Sequence, residues 1–207
     1  MAVKQEITPL KKEADKSEKV DIPILSFESQ KDWEEWLSRN YDLQVGIWVR
    51  FYKKGSGVHS IVYDQALDGA LCFGWIDGQV KKLDENSYIQ KFTPRRARSM
   101  WSKRNIDHVS RLEKEGKMQP SGIKEVEKAK KDGRWERAYD SPGNMEIPDD
   151  FLRELSKNKK ALEFFDSLNK TNKYTIGWRL QTAKSAESRE KRMKEILIMM
   201  DKGEKFH

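Results

Sequence analysis

Apolar positions in the first half of the chain follow a strand period, then a helical period, then a strand period again. Aromatic and β-branched residues dominate residues 45–54, VGIWVRFYKK, and the GSG that follows predicts a turn after a strand. Residues 61–75 predict a helix that ends at Gly74. WIDGQVKKL and SYIQKFT, separated by DEN, predict a hairpin.

Strand signals stop after Pro94, and the remaining apolar positions recur at helical spacing. Two helices are predicted to end at Gly116 and Gly133, and two more stripes lie near the C-terminus. The order of elements predicts an α+β fold, in which helices cover one face of a small antiparallel sheet and a helical extension packs on it.

Turn residues and composition divide the chain into three parts. Residues 1–21 alternate charged side chains with few apolar ones, which predicts a flexible charged tail. Residues 22–140 form the predicted α+β domain. The turn-rich segment AYDSPGNMEIPDD leads into a C-terminal helical region, residues 148–207.

Charge and composition narrow the classes of function. The net charge is +7 and the isoelectric point is near 9.3, which favours anionic partners. A single cysteine, Cys72, excludes an intramolecular disulfide and indicates a reducing compartment. No run approaches the roughly 18 apolar residues of a membrane span, and the first 20 residues contain no apolar signal-peptide core. We therefore expect a cytoplasmic protein without membrane insertion.

Signals for a cofactor or a metal are missing from the sequence. The three histidines are isolated from one another, and the chain contains neither a glycine-rich phosphate loop nor a nucleophile elbow. Cys72 lies between Leu71 and Phe73 on the apolar helix, where a thiol usually packs as a small inert hydrophobe. We expect no cofactor and no complete catalytic set.

Three motifs resemble those of the YdeI/OmpD-associated, or bacteriocin-protection, family. They are CFGWIDG at 72–78, FTPRRARSMWSKRN at 92–105 and WRLQTAKSAESREKR at 178–192. The resemblance spans about residues 25–203, although Ala186 and Ser188 stand where the family pattern more often has Pro and Thr. It implies a role in protection against bacteriocins and cationic antimicrobial peptides, and it implies no catalytic activity.

The main candidate site is the basic segment 91–104, which carries six cations and no acid around Phe92 and Trp101. Guanidinium groups bind phosphate or carboxylate through two parallel hydrogen bonds, and aromatic rings stack on planar groups. The predicted anion site consists of Arg95, Arg96, Trp101, Ser102 and Asn105. The alternative is that the arginines form a solvated face while Trp101 is core.

Two further groups have both a functional and a structural interpretation. Asp77 is expected either to orient a ligand and pair with Arg95 or Arg96, or to serve as a turn residue. We expect the neighbouring Trp75 to lie in the core. A secondary basic group near the C-terminus either lines the same cleft as Arg95 or forms a solvated helix face. Its members are Trp178, Lys184, Arg189 and Arg192.

Three hypotheses of function follow. The first is a non-catalytic protein that binds an anionic small molecule or an acidic protein partner in a stress or antimicrobial-peptide resistance pathway. The second is a nucleic-acid-binding protein, because basic and aromatic residues are interleaved. The third is an enzyme that uses Asp77 with Arg95 and Ser102 or Lys103. The sequence leaves the oligomeric state open.

Overall fold

The computed structural model describes residues 21–207. The tail predicted for residues 1–21 therefore lies outside the described residues, except for its last position. The strands are β1 (Ile24–Leu25), β2 (Ile47–Tyr52), β3 (Trp75–Lys82) and β4 (Ser87–Pro94). The helices are α1 (Gln30–Asn40), α2 (Tyr63–Cys72), α3 (Lys103–Lys114), α4 (Pro120–Lys131), α5 (Asp149–Leu155), α6 (Lys159–Ser167), α7 (Lys170–Gln181) and α8 (Ala186–Lys202).

The four strands form one sheet in the order β1-β2-β4-β3. β4 pairs antiparallel with both β2 and β3, with Ile47 opposite Phe92, and the β3–β4 pairing shifts register between Asp77 and Val80. The α+β prediction is confirmed. The predicted antiparallel sheet of β2 and the β3–β4 hairpin is present, and β1 adds a parallel pair at its edge. A two-residue strand is too short to show a period in the sequence.

The first hydrophobic core lies between the sheet and helices α1 and α2, and Trp33 is central to it. Its ring is fully buried, and its indole Nε1 donates to the carbonyl of Ala66 at 2.9 Å. Gly69 on α2 permits this approach, because a Cβ there would lie 2.7 Å from the Trp33 ring. Helix α2 therefore packs closely against α1 on one face of the sheet.

The second core lies on the far side of α2, where α3 and α4 pack. Its buried members include Leu67, Trp101, Val109 and Val126. Helix α4 crosses the end of α2 so closely that a Cβ on Gly122 would lie 2.2 Å from the carbonyl oxygen of Cys72. This close crossing fixes α4 beside Gly74 and the end of the sheet.

The third core belongs to helices α5 to α8, with Phe151, Ile176 and Met200 fully buried. The segment before α5 joins it to the rest of the molecule, since Gln181 on α7 exchanges hydrogen bonds with Asp140 at 2.5 and 3.0 Å. The domain boundaries given above stay a prediction, although this core is distinct from the first two.

Substitution of Gly122 by Ala should test the α2–α4 crossing. The added methyl group has no room against the Cys72 carbonyl, so we expect Gly122→Ala to lower the free energy of unfolding by about 1–3 kcal/mol. Gly143→Ala is the matched control, because nothing lies within 4 Å of a Cβ there. Urea denaturation measures both, and equal stabilities for the two variants would contradict the close crossing.

The ion pair between Asp150 and Arg189 should make the C-terminal core sensitive to acid. Its hydrogen bonds, at 2.5 and 2.8 Å, lower the pKa of Asp150 to about 2 from 3.8. A lowered carboxyl pKa means that the pair stabilises the fold above pH 4 and ceases to do so as the pH falls towards 2. Both side chains are about one-third exposed, so we expect Arg189→Met to cost only about 0.5–1 kcal/mol at pH 7.

Urea denaturation of the native chain and Arg189→Met at pH 7 and near pH 2 measures this loss. The difference between them should shrink at the lower pH. Lys194→Met removes a more exposed pair, with Glu190 on the same helix, and should change stability less. A difference that stays constant down to pH 2 would show that Arg189 acts through packing alone.

Candidate functional site

Arg95 begins the loop that connects the end of β4 to α3, and both ends of this loop are fixed. Its backbone N–H donates to the carbonyl of Gly74 at 2.9 Å. At the other end Ser102 caps α3 by accepting a hydrogen bond from the N–H of Asn105 at 3.1 Å. Six residues, 96–101, lie between Arg95 and Ser102, so the loop is short and held at both ends.

The Arg95 side chain is buried, with only 7% of the residue exposed. Its guanidinium carbon lies 3.3 Å from the centroid of the Trp101 ring, and Nη1 donates to the carbonyl of Met100 at 3.3 Å. Nε and Nη2 have no hydrogen-bond partner within residues 21–207, and neither does the buried Nε1 of Trp101. Both Arg95 atoms are buried, and together they form the Nε–Nη2 edge with which arginine binds a carboxylate or phosphate.

Burial places the charge of Arg95 in an unfavourable environment. Loss of hydration lowers the pKa of Arg95 to about 9 from 12.5, while Tyr139 and Asp77 act in the opposite direction. The group is therefore still protonated at neutral pH. Among the described ion pairs none includes Arg95, so its charge is buried without a contacting counter-ion.

A cleft of about 460 Å³ lies beside Arg95, between the loop and the end of α4. Its lining carries four cations and two carboxylates. Glu125 pairs with Lys128 at 2.6 Å, and Asp132 pairs with Arg134 at 2.8 Å. The other two cations of the lining, Arg95 and Lys131, have no ion-pair partner within the described structure. The lining residues are Arg95, Ala97, Glu125, Lys128, Lys131, Asp132 and Arg134.

Arg134 adds a positive charge to the cleft wall and also holds the loop that forms the wall. It is 6% exposed, and its Nη1 donates to the carbonyl of Ser99 at 2.9 Å while Asp132 holds its other edge. Because Arg134 binds the loop backbone in the middle, the loop that carries Arg95 is fastened at three points. The site is therefore built on a rigid support.

Asp77 lies on β3, at the register shift, and is half-buried. Its Oδ2 accepts hydrogen bonds from the hydroxyl of Tyr63 and from Nε2 of Gln90, each at 3.0 Å. Oδ1 has no partner in the described part of the chain, and Asp77 forms no ion pair with Arg95 or Arg96 there. Burial raises the pKa of Tyr63, and the charge of Asp77 raises it further.

The remaining members of the predicted anion site have other surroundings. Arg96 is exposed and does not line the cleft, while Ser102 and Asn105 are buried in the cap of α3. Trp75 is fully buried in the first core, and its Nε1 donates to the carbonyl of Tyr41 at 2.7 Å. The structure thus brings Arg95 and Trp101 together and separates the others from the cleft.

Two family models match the chain. Residues 25–125 match a model described as a domain of unknown function (DUF8412). Residues 144–203 match a model described as Bacteriocin-protection, YdeI or OmpD-Associated. We name residues 144–203 the YdeI/OmpD-associated region, after the model that they match. No curated protein and no solved structure matches the chain.

The match to residues 144–203 confirms the resemblance for that region. The motifs at 72–78 and 92–105 lie instead within the range matched by the domain of unknown function. Arg95, Trp101 and Asp77 all lie within residues 25–125, while most of the cleft wall, residues 128–134, falls between the two matched ranges. Within residues 21–207 no helix is long and apolar enough to cross a membrane.

The secondary basic group is built into the YdeI/OmpD-associated region itself. Arg189 holds Asp150 on α5, and Arg192 donates to the carbonyl of Arg179 at 2.6 Å, near the end of α7. Lys184 is exposed, and the Trp178 ring packs edge-on against Tyr139 at 6.1 Å. In the described structure none of the four lines the Arg95 cleft, so none of them adds to the charge of its wall.

The α4 side of the cleft was not among the residues predicted from the sequence. Lys128, Lys131 and Arg134 lie in the run KAKKDGRW, whose density of cations around Gly133 was the available signal. Nothing in the sequence relates this run to Arg95, about 35 residues earlier. The same holds for Tyr63 and Gln90, which reach Asp77 only in the folded chain.

Cys72 is 2% exposed, and burial raises the pKa of its thiol to about 12. The described residues contain no group of three or more acids, histidines or cysteines placed to hold a metal ion.

We expect Cys72 to react with a thiol reagent at pH 8 far more slowly in the native chain than in urea, since it is buried and protonated. Rapid stoichiometric labelling of the native chain would show that the thiol is accessible.

Proposed function

We propose that this chain is a non-catalytic binding protein whose Arg95 holds the oxyanion of a small ligand at the cleft beside α4. The observation that supports the proposal is a buried, protonated guanidinium whose Nε and Nη2 have no hydrogen-bond partner within residues 21–207. A buried cation without a counter-ion costs the fold free energy, and a bound oxyanion would offset that cost. The two uncompensated cations of the cleft favour a dianion such as a phosphate ester.

The geometry gives less support to an enzyme. Ser102 caps α3, and Lys103 pairs with Asp140 at 2.9 Å, so both are engaged away from Asp77. The only hydroxyl that contacts Asp77 in the described chain is that of Tyr63, whose raised pKa makes it a poor source of an anion. A reaction that needs Asp77, Arg95 and Ser102 together lacks that convergence.

Nucleic-acid binding also has less support than a small ligand. The aromatic side chains of the basic segment would have to stack on bases, yet Trp101 is 1% exposed and Phe92 is fully buried. Two of its cations are already paired, Lys103 with Asp140 and Arg104 with Asp64. The segment thus offers charge without a stacking surface.

The biological setting of the proposal comes from the family description. The model that matches residues 144–203 is described in terms of bacteriocin protection. We therefore propose that the ligand, or an acidic protein partner that presents the same oxyanion, acts in a stress or antimicrobial-peptide resistance pathway. A cytoplasmic location stays part of this proposal.

Arg95→Met should separate binding from folding. Methionine keeps much of the apolar stem and removes a buried charge, so we expect unchanged or higher thermal stability together with at least a tenfold loss of affinity for ethyl phosphate. Arg96→Ala, an exposed cation one residue away, should change the affinity no more than about twofold. Isothermal titration calorimetry at low salt measures affinity, and a thermal melt measures stability.

The native chain should also melt at a higher temperature in ethyl phosphate, and Arg95→Met should not. Equal affinities in native chain and Arg95→Met would remove the proposed role of Arg95. A loss that is as large in Arg96→Ala would point instead to general attraction by the basic surface.

A further inference from the structure

A second cleft, of about 490 Å³, lies on the loop that connects β2 to α2. We call it the loop cleft. It shares no lining residue with the Arg95 cleft, and its volume falls in the range of small-molecule sites, roughly 300–1,000 Å³. The lining residues are Tyr52, Lys53, Lys54, Gly55, Ser56, Gly57, Val58, His59, Ser60 and Val62.

The lining of the loop cleft carries positive charge and no carboxylate. Residues 50–63, RFYKKGSGVHSIVY, contain no acid. Lys53 Nζ donates to the main-chain carbonyl of Glu85 at 2.7 Å, and neither Lys53 nor Lys54 forms an ion pair within residues 21–207. Two uncompensated ammonium groups in one concave surface favour an anion as its occupant.

Hydrogen bonds hold both ends of the loop. The N–H of Lys53 donates to the carbonyl of Asn86 at 2.8 Å, in the hairpin between β3 and β4. At the other end the N–H of Ile61 donates to the carbonyl of Phe27 at 3.0 Å. The loop cleft therefore lies between two fixed ends, which lowers the ordering cost when a ligand binds.

Two glycines of the loop supply backbone donors to the cleft. The N–H groups of Gly55 and Gly57 have no acceptor within residues 21–207. Both have positive φ, 95° and 75°, and turns of this kind can gather N–H groups into a concavity that binds anions. Nothing lies within 4 Å of a Cβ at either position, so a ligand can approach the backbone closely.

Hydroxyl and apolar groups complete the lining. Ser56 Oγ accepts a hydrogen bond from the N–H of Val58 at 3.2 Å, which leaves its own proton for a ligand. Val58 and Val62 are 49% and 60% exposed, although valine is usually buried. Together with the ring of Tyr52 they place apolar surface beside the two lysines. Small-molecule sites combine these two kinds of surface.

We propose that the loop cleft is a second anion site, which takes a phosphate monoester with an apolar body. The phosphate dianion pairs with Lys53 and Lys54 and accepts hydrogen bonds from the two glycine N–H groups. The apolar body of the ester packs on the exposed valines. This site does not depend on Arg95.

Phenyl phosphate tests the proposal through the amide NMR signals of Gly55 and Gly57 in the native full chain. Both signals should shift and saturate, since their N–H groups contact the phosphate. Inorganic phosphate should bind there at least about threefold more weakly, because it lacks the apolar body. Absence of a saturable shift at both glycines would overturn the proposal and leave the proposed function of Arg95 standing. Equal affinity for the two probes would overturn the proposed ligand class.

The double variant Lys53→Met, Lys54→Met should bind phenyl phosphate at the loop cleft at least about fivefold more weakly, because it loses both ammonium groups. Lys159→Met with Lys160→Met is the matched control, since it removes the same charge from another exposed pair of adjacent lysines. The control should keep the native affinity within about twofold. Equal weakening in the two double variants would overturn the proposal, because it would indicate general attraction by a basic protein.

Discussion

The candidate site depends on one interaction, the stacking of a buried guanidinium on an indole ring, which leaves two of the guanidinium nitrogens without a partner in the described structure. Arg95 and Trp101 lie in van der Waals contact, and the carbonyl of Met100 satisfies one donor. The ring gives the cation a favourable face but accepts no hydrogen bond from Nε or Nη2. The charge therefore has no contacting counter-ion in the described structure, which is the reason for proposing an oxyanion as its partner.

The rest of the fold keeps this arrangement from relaxing. The loop is tied to Gly74 at its start, to Arg134 at Ser99 and to the α3 cap at Ser102. The α2–α4 crossing brings Arg134 and the basic end of α4 to the loop, and it requires the missing side chain of Gly122. A cation held at this many points cannot reach Asp77 or solvent without disrupting packed structure.

The C-terminal helices stand apart from the cleft and still affect the site. Their core is separate, and their basic residues are used in contacts such as Arg189 with Asp150. They reach the first part of the chain through Gln181 on Asp140 and Trp178 on Tyr139. The backbone of Tyr139 in turn pairs with that of Trp101 and Lys103, so these contacts reach the end of the loop that carries Arg95.

Periodicity and turn residues alone determined most helices, the hairpin and the α+β class, because these depend on local spacing. Local spacing also indicated a buried Cys72. Only the tertiary structure decided that Arg95 is buried while its neighbour Arg96 is exposed, and that the cleft wall comes from α4. Such differences arise from which chain segments pack together across long sequence separations, and identical residue types carry no signal of that.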